Sequence, residues 1–513
     1  MAISTDNLRF ILGLKLRRLR QDQDESLKEL SERSGLSVSY LSEIEKGKKY
    51  PKPDKILDLA NALGVAYDDL VSLRVTDELT PLKEIFSSTF IQEFPFHLFG
   101  LEPQDVFSLI ADQPSEAGAL IRTFLEIGRT YDMQVEHFLF AALRSYQQMH
   151  SNYFEELEAM ATDYRAHRGW DAAAPPSAGT LRAILEDEYG YSIDTATLPN
   201  HPHLNGFRSV FVEGASPLLY INGDLKPSQK AFTYGREIGY QELDVDERVT
   251  TSSWLKVESF DQVLNNFKAS YFSGALLMAQ DTLLDDLAAF FDQDTWNPDV
   301  LQRCMDKYRV TPEMLYYRMT ELVPQKFGLD EIYFMRFHNE AGTNDFDLTK
   351  VLNMSRVPVP HGIGPEEHYC RRWPAMHLLN DLARQQQASA TNGTAPNPPI
   401  VRAQRSRFIN NGAEFFVISS ARPLSLTPGT NSCVSLGFLM NEAFKERIRF
   451  WNDDSIPRID VNLTCERCPL APEECQVRTA PPTVYEEQQR QAVKEDALAE
   501  LMTAARSTSP TDS

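Results

Sequence analysis

At 513 residues, with 42% hydrophobic and 24% charged content, the chain has the composition of a globular protein and is too long for a single core. The opening residues MAISTDNLRF lack the basic start and apolar core of a secretion signal, and no apolar run reaches the roughly 18 residues that cross a bilayer. A cytoplasmic location with no membrane partner is therefore expected. A net charge of -22 excludes nucleic-acid binding by the whole surface. Residues 1–75 stand apart, with 13 Lys and Arg against 12 Asp and Glu, so contact with nucleic acid is expected to be local and N-terminal.

Residues 6–73 predict five short helices. Ile11, Leu12, Leu16 and Leu19 recur on one face of the first, and Ser26 with Glu29 forms a capping box ahead of Leu27 and Leu30 in the second. Gly35 ends that helix, Ser37 caps a third whose Leu41 and Ile44 point inward, and Gly47 stops it. A helix after Pro53 buries Ile56, Leu59, Ala60 and Leu63 and ends at Gly64. Residues 76–168 read as helical throughout, before Pro175 and Pro176 mark a linker. From 178 to 325 helices mix with short strands such as SVFVEG and PLLYIN; from 330 strands dominate, in EIYFMRF, FFVISSA and CVSLGFLM. The segment 384–399, RQQQASATNGTAPNPP, reads as a disordered low-complexity insertion, and a helix rich in Glu, Gln and Ala follows Pro482 as far as Arg506.

A helix that enters the major groove needs small or polar residues in its first turns, an apolar opposite face and cations nearby for phosphates. Residues 37–46, SVSYLSEIEK, meet all three needs. The candidate DNA-facing residues are Ser37, Val38, Ser39, Tyr40, Ser42, Glu43, Lys46, Lys48 and Lys49, with Lys52 and Lys55 following. Lysines would supply affinity and the first helical turns specificity. The stretch from KELSERSGLSVSYLSEIEK to ILDLANALGV resembles the phage-repressor or XRE family of helix-turn-helix domains, over residues 8–73. The resemblance implies a five-helix bundle that binds a double-stranded DNA operator. One such domain reads only a few base pairs, so a homodimer on a pseudo-palindromic site is expected. A helical bundle that binds only protein is the alternative.

Residues 230–243, KAFTYGREIGYQEL, resemble the zinc-binding helix of ImmA/IrrE-type metallopeptidases. Such a helix needs two histidines four residues apart with a glutamate between them as general base. Here Arg236 and Tyr240 hold the ligand positions and Glu237 the base position; in the downstream FKASYFSGALLMAQ, Lys268 stands where a carboxylate ligand is expected. A cation and a phenol cannot bind zinc, so a degenerate, non-catalytic element is expected.

Cys465, Cys468 and Cys475, spaced C-x2-C-x6-C, place two thiolates on one turn and return a third after a proline-containing loop. Thiolates so close repel one another unless a cation neutralises them, which favours a metal centre over free thiols. A fourth ligand is needed. Cys370, in HYCRRWP, is the first candidate, with His368 or an open iron position as alternatives, whereas Cys304 and Cys433 read as buried small apolar residues. Arg336 and His338 lie on one strand, either as phosphate contacts or as ordinary strand-surface residues, and no Gly-rich loop marks an effector pocket.

YRVTPEMLYYRMTEL (308–322), YFMRFHNEAGTND (333–345), YCRRWPAMHLL (369–379) and LTCERCPLAPEECQVRTAPP (463–482), together with FPFHLFGL (94–101), resemble the short-chain fatty acyl regulators typified by RamB and PrpR. That resemblance implies a regulator gated by acyl-coenzyme A, and a [4Fe-4S] cluster at the cysteines, with zinc as the alternative. The expected architecture is multidomain: an all-α helix-turn-helix domain (1–75), a helical domain (76–170), an α+β degenerate zincin-like region (178–325), a β-rich α+β C-terminal sensory domain with the cysteine cluster (326–483), and a helical then disordered tail (484–513). The expected function is sequence-specific transcriptional regulation. The alternatives are a metallopeptidase that cleaves a partner repressor, discriminated against by the two missing histidines, and an antitoxin-like partner-binding protein.

Overall fold

The computed structural model describes residues 5–71, 95–99, 123, 135–245, 247–251, 257, 259–360, 363–364, 366–392 and 399–508. The chain divides into two units, Met1–Tyr146 with Lys256–Val263, and Gln147–Leu255 with Leu264–Ser513. Most of the helical domain expected at 76–170 lies outside the described residues, as does the 509–513 tail.

The first unit contains α1 (Thr5–Asp22), α2 (Leu27–Ser34), α3 (Val38–Glu45), α4 (Pro53–Leu63) and α5 (Tyr67–Val71). Their ends have local causes. Ser26 and Glu29 close the reciprocal capping box on α2, and Gly35 terminates it at φ 69°, a left-handed conformation that costs a residue with a Cβ more than it costs glycine. Ser37 caps α3 by accepting from the Tyr40 amide at 3.2 Å. Pro53 occupies the first turn of α4, where its missing N–H is no loss, and Gly64 ends the helix at φ 70°. Leu12, Leu16, Leu30, Leu41, Ile44, Ile56, Leu59 and Leu63 form the core they enclose.

In the second unit α6 (Val135–Met149), whose last residues belong to it, leads to α7 (Glu155–His167) and α8 (Ala178–Asp187). A small sheet of β1 (Ser192–Asp194), β2 (Ser209–Val212) and β3 (Leu218–Ile221) has the order β1-β3-β2, with β1 parallel and β2 antiparallel to β3; the short helix α9 (Thr197–Asn200) lies between β1 and β2. Then follow α10 (Pro227–Glu242), α11 (Phe260–Leu277), which belongs to this unit from Leu264 onward, α12 (Gln280–Phe291), α13 (Pro298–Tyr308) and α14 (Pro312–Phe327).

The large sheet contains β4 (Ile332–Glu340), β5 (Asp347–Asn353), β6 (Ile400–Phe408), β7 (Glu414–Pro423), β8 (Thr430–Leu439) and β9 (Arg458–Val461) in the order β5-β4-β8-β7-β6-β9, antiparallel except for the β6–β9 pair. Helix α15 (Pro374–Asn392) crosses one face, α16 (Glu442–Arg447) follows β8, and α17 (Thr483–Thr508) ends the described chain. Alternation along β4 sets the two faces. Tyr333, Met335 and Phe337 pack with Trp373, Met376 and Leu379 at α15; Ile332 and Phe334 pack with Leu315, Met319 and Leu322 of α14.

One expectation is corrected here. Residues 384–392, read as the start of a disordered insertion, belong to α15: Leu378, Leu379, Leu382 and Ala383 seat the helix on the sheet, and the helix-forming Arg, Gln and Ala residues continue it. Residues 393–398 lie outside the described part. The α12–α14 helices pack on the sheet that follows them, and one apolar cluster runs from Ala161 to Ile456.

Candidate nucleic-acid interface and sensory sites

Helix α3 is held by its apolar side and by one ion pair. Leu41 and Ile44 are fully buried, and Gly13 of α1 sits so close to the Ile44 carbonyl that a Cβ there would collide with it. Glu45 receives a two-pronged bond from Arg20, at 2.7 and 2.9 Å, while the same guanidinium donates to the Glu25 carbonyl at 2.6 Å. Lys15 ties α1 to α5 by donating to the Asp69 carbonyl at 2.8 Å. The outer side carries the residues expected at DNA: Ser37, Val38, Ser39, Lys46, Lys48 and Lys49 are exposed, and Tyr40, Ser42 and Glu43 half-exposed. Within that set Lys49 is engaged, pairing with Glu43 at 2.7 Å and lying 5.7 Å from the Tyr40 ring centroid. Lys55 is likewise paired, with Asp58 at 3.1 Å. Among the described residues Lys46, Lys48 and Lys52 have no carboxylate partner, which leaves them open to phosphate.

The backbone sews the two cysteine-bearing stretches together. Tyr369 bridges Thr464, the Cys370 amide donates to the Leu463 carbonyl at 3.2 Å, and the Cys465 amide donates to the His368 carbonyl at 2.8 Å. Cys370, Cys465, Cys468 and Cys475 are all buried. Burial pushes the Cys370 thiol up to about 12, with the neighbouring Cys465 and Cys468 adding to the rise. His368 spends Nδ1 on Glu466 Oε1 at 2.7 Å, leaving only its other nitrogen for any ligand role. The thiols suit a thiophilic centre, but among the described residues no three His, Cys, Asp or Glu side chains are drawn into a group that would hold a metal ion. Cys304 and Cys433 lie buried in the apolar clusters, as expected of small apolar side chains.

On α10, Glu237 is buried and forms ion pairs with Arg248 and, at 3.5 Å, with Arg236. Arg236 also donates to Ser209 Oγ at 3.1 Å, Tyr240 donates to Asn266 at 3.1 Å, and Arg248 stacks 4.3 Å from the Tyr240 ring centroid. Gly235 and Gly239 let α10 approach Ser273 and Ala269 of α11 closely. The glutamate in the base position is thus a counter-ion, and the phenol and cation in the ligand positions are structural. Arg248 could not be anticipated, since it comes from a loop beyond the motif.

Arg336 and His338 sit on the α14-facing side of β4, where Arg336 pairs with Glu313 at 2.6 Å. They are half-buried among other charges. A separate groove lined by Glu156, Asp163 and Glu242 beside His167 and Arg168 is acidic on balance and ill suited to an anionic ligand.

A capped five-helix bundle that presents a short polar helix with unpaired lysines at its end defines a helix-turn-helix DNA-binding module. Comparison with known proteins agrees. Residues 16–70 match the family described as helix-turn-helix, and residues 191–320 match the IrrE N-terminal-like domain. The chain is 38% identical over 72 residues, 14% of its own length and 91% of the relative's, to the uncharacterized HTH-type transcriptional regulator y4dJ of Sinorhizobium fredii. A solved structure described as a Mycobacterium tuberculosis transcriptional regulator aligns over 67% of this chain and 94% of its own, at 16% identity and a TM-score of 0.45. The chain belongs to the HTH-type transcriptional regulators: it is an XRE-type DNA-binding regulator that carries an IrrE-like region.

Proposed function

We propose that the protein is an effector-gated regulator that binds a pseudo-palindromic operator as a homodimer in the cytoplasm, with acyl-coenzyme A as the effector. One observation carries the DNA-binding part of the reading: α3 presents exposed Val38 and Ser39 and half-exposed Ser42 beside Lys46, Lys48 and Lys52, which lack carboxylate partners among the described residues, in a chain otherwise strongly acidic. Gating by acyl-coenzyme A is supported by the motif resemblance at 308–322, 333–345, 369–379 and 463–482. A ligand shifts such an equilibrium only by its difference in affinity for the two states. Titrating acetyl-, propionyl- and longer acyl-coenzyme A into the protein–operator complex should change operator affinity for at least one of them; a flat response across the series rejects this effector class.

The same reading assigns Cys465, Cys468 and Cys475, with Cys370, to an iron-sulfur cluster, and zinc is its alternative. The juxtaposition of HYCRRWP with LTCERCP supports Cys370 over a ligand from elsewhere. A cluster would supply redox sensitivity; the chain's own contribution is a buried set of thiols joined by backbone hydrogen bonds. Protein purified without oxygen should absorb near 400 nm and lose that absorbance in a Cys465→Ser, Cys468→Ser variant; one zinc per chain would reassign the site, and metal-free protein would end the proposal.

The metallopeptidase alternative draws on the IrrE-like match alone. Glu237 held by Arg248, with Arg236 and Tyr240 in the ligand positions, argues for a retained scaffold without catalytic residues.

A further inference from the structure

The α14-facing side of the large sheet gathers more positive charge than it neutralises. Strand register puts these residues together, because positions directly opposite one another share a face. On β4, Arg336 and His338 continue the face that begins with Phe334. Lys350 of β5 lies opposite Arg336; His338 lies opposite Ser432 of β8, which in turn lies opposite Arg422 of β7. The first turn of α14 brings Glu313 onto this face, and Arg208 joins from the residue before β2.

Four cations converge on a single carboxylate. Burial alone would raise the Glu313 carboxyl, yet Arg336, Lys350, Arg208 and Arg422 together hold it below the usual carboxylate range. Among the described residues only Arg336 bonds to it, at 2.6 Å, and the Arg336 Nε donates to Thr349 at 2.8 Å. The Lys350 ammonium rests 3.4 Å from the Tyr317 ring centroid. Arg422, 6% exposed, donates to its neighbour's carbonyl, that of Pro423, at 3.3 Å. Arg208 makes no side-chain hydrogen bond among the described residues. Of the other carboxylates near this face, Glu321 is bound to Arg318 at 2.9 Å, and Asp347 of β5, opposite His338, is exposed to solvent. Burial pushes the His338 imidazole down to about 4, so at neutral pH it offers an N–H without adding charge. Cations withdrawn from water without counter-ions are unfavourable, and guanidinium groups match phosphate geometry. Arg208, Arg336 and Lys350 retain partial exposure, so a ligand can reach them.

We propose that this concavity binds the phosphate groups of a small-molecule ligand, with Arg208, Arg336, Lys350 and Arg422 as its charged contacts and Glu313 as the internal counter-ion that orients Arg336. Four cations against one carboxylate exceed what one phosphate neutralises, so a diphosphate, or two phosphate groups on one molecule, fits the charge. The site deepens the effector-gated reading and rests on it only in expecting coenzyme A to be the carrier of those phosphates.

Isothermal titration of the full-length chain with coenzyme A, inorganic pyrophosphate and inorganic phosphate at low ionic strength tests it, for the wild type, Arg208→Gln and Arg336→Gln. Coenzyme A and pyrophosphate should bind, and Arg208→Gln should weaken both at least tenfold. The same variant should leave the melting temperature of the free protein unchanged or higher, since it removes a cation from a repelling group; a merely structural arginine would lower it. Pyrophosphate or phosphate binding that is abolished in Arg208→Gln, without coenzyme A binding, keeps the site and removes coenzyme A from the effector reading. Coenzyme A binding that is indifferent to both variants overturns the site and leaves the effector reading standing. No binding by any of the three probes overturns the site.

Discussion

Removing the Arg20 guanidinium should unseat α3 more severely than removing the whole ion pair. In Arg20→Met, the Glu45 carboxylate, 8% exposed, loses bonds of 2.7 and 2.9 Å, and the Glu25 carbonyl loses its donor at 2.6 Å. A largely buried carboxylate left without its partner costs about 3–5 kcal/mol, and the unsatisfied neutral acceptor adds about 1 kcal/mol. Domains of this kind hold only about 5–15 kcal/mol in total, so the helix-turn-helix unit should be partly unfolded at 37 °C in the variant. Replacing both partners, Arg20→Met with Glu45→Leu, leaves no orphaned charge and should recover most of the loss, to within about 2 kcal/mol of the wild type. Urea denaturation followed by circular dichroism, with operator binding measured in parallel, gives both quantities. If the double variant were as unstable as the single one, the orphaned-charge argument would fail and the pair would matter only through packing.

Three further outcomes follow from the same geometry. Changing Lys46, Lys48 or Lys52 to Gln should lower the slope of log affinity against log salt by about 0.9 for each phosphate that is no longer neutralised, whereas Lys55→Gln, whose lysine is already paired with Asp58, should change it less. Glu237→Gln should confer no change in zinc-dependent cleavage of any partner but should destabilise the second unit by about 1–3 kcal/mol, since Arg248 loses its charged acceptor; a stable variant that lost proteolysis would refute the structural role. Burial pushes the Lys350 ammonium down to about 8, with Glu313 and Glu321 opposing the shift and Arg336 and Arg208 adding to it, so part of the population is neutral near pH 8. An anion arriving there raises that pKa again, so coenzyme A, whose phosphates are already ionised at pH 8, should take up protons on binding, read as a binding enthalpy that varies with the ionisation enthalpy of the buffer.

The first unit was legible because its signals are local. Ser26 with Glu29, Ser37, Gly35 and Gly64 each act within one helical turn, and the periodicity of Leu41 and Ile44 fixes which side of α3 faces outward. The Gly13 approach to the Ile44 carbonyl and the Arg20–Glu45 clamp were not, since each joins residues separated by many turns of chain. The same distinction holds in the second unit. The strand-rich runs at 332–340, 414–423 and 430–439 stand out as β-rich, but the charged run VRAQRSRF hides β6, a strand paired with β7 on one side and β9 on the other. Polarity at 384–392 concealed a helix whose burial is decided by the leucines before it. Arg208, Glu313, Lys350 and Arg422 come from four separate segments: sheet register brings Lys350 and Arg422 to one face, and tertiary packing brings Glu313 of α14 and Arg208 to it.

Fluorescence anisotropy with a labelled operator fragment tests the central claim most directly, comparing the wild type with a Ser39→Glu, Ser42→Glu variant whose fold is checked by circular dichroism. Both serines point away from the Leu41 and Ile44 face, so the core should be untouched, while two new carboxylates face the phosphates and base edges. The account predicts native helicity and a loss of specific operator affinity of at least a hundredfold; unchanged affinity in the folded variant would contradict the assignment of α3 as the helix that reads DNA.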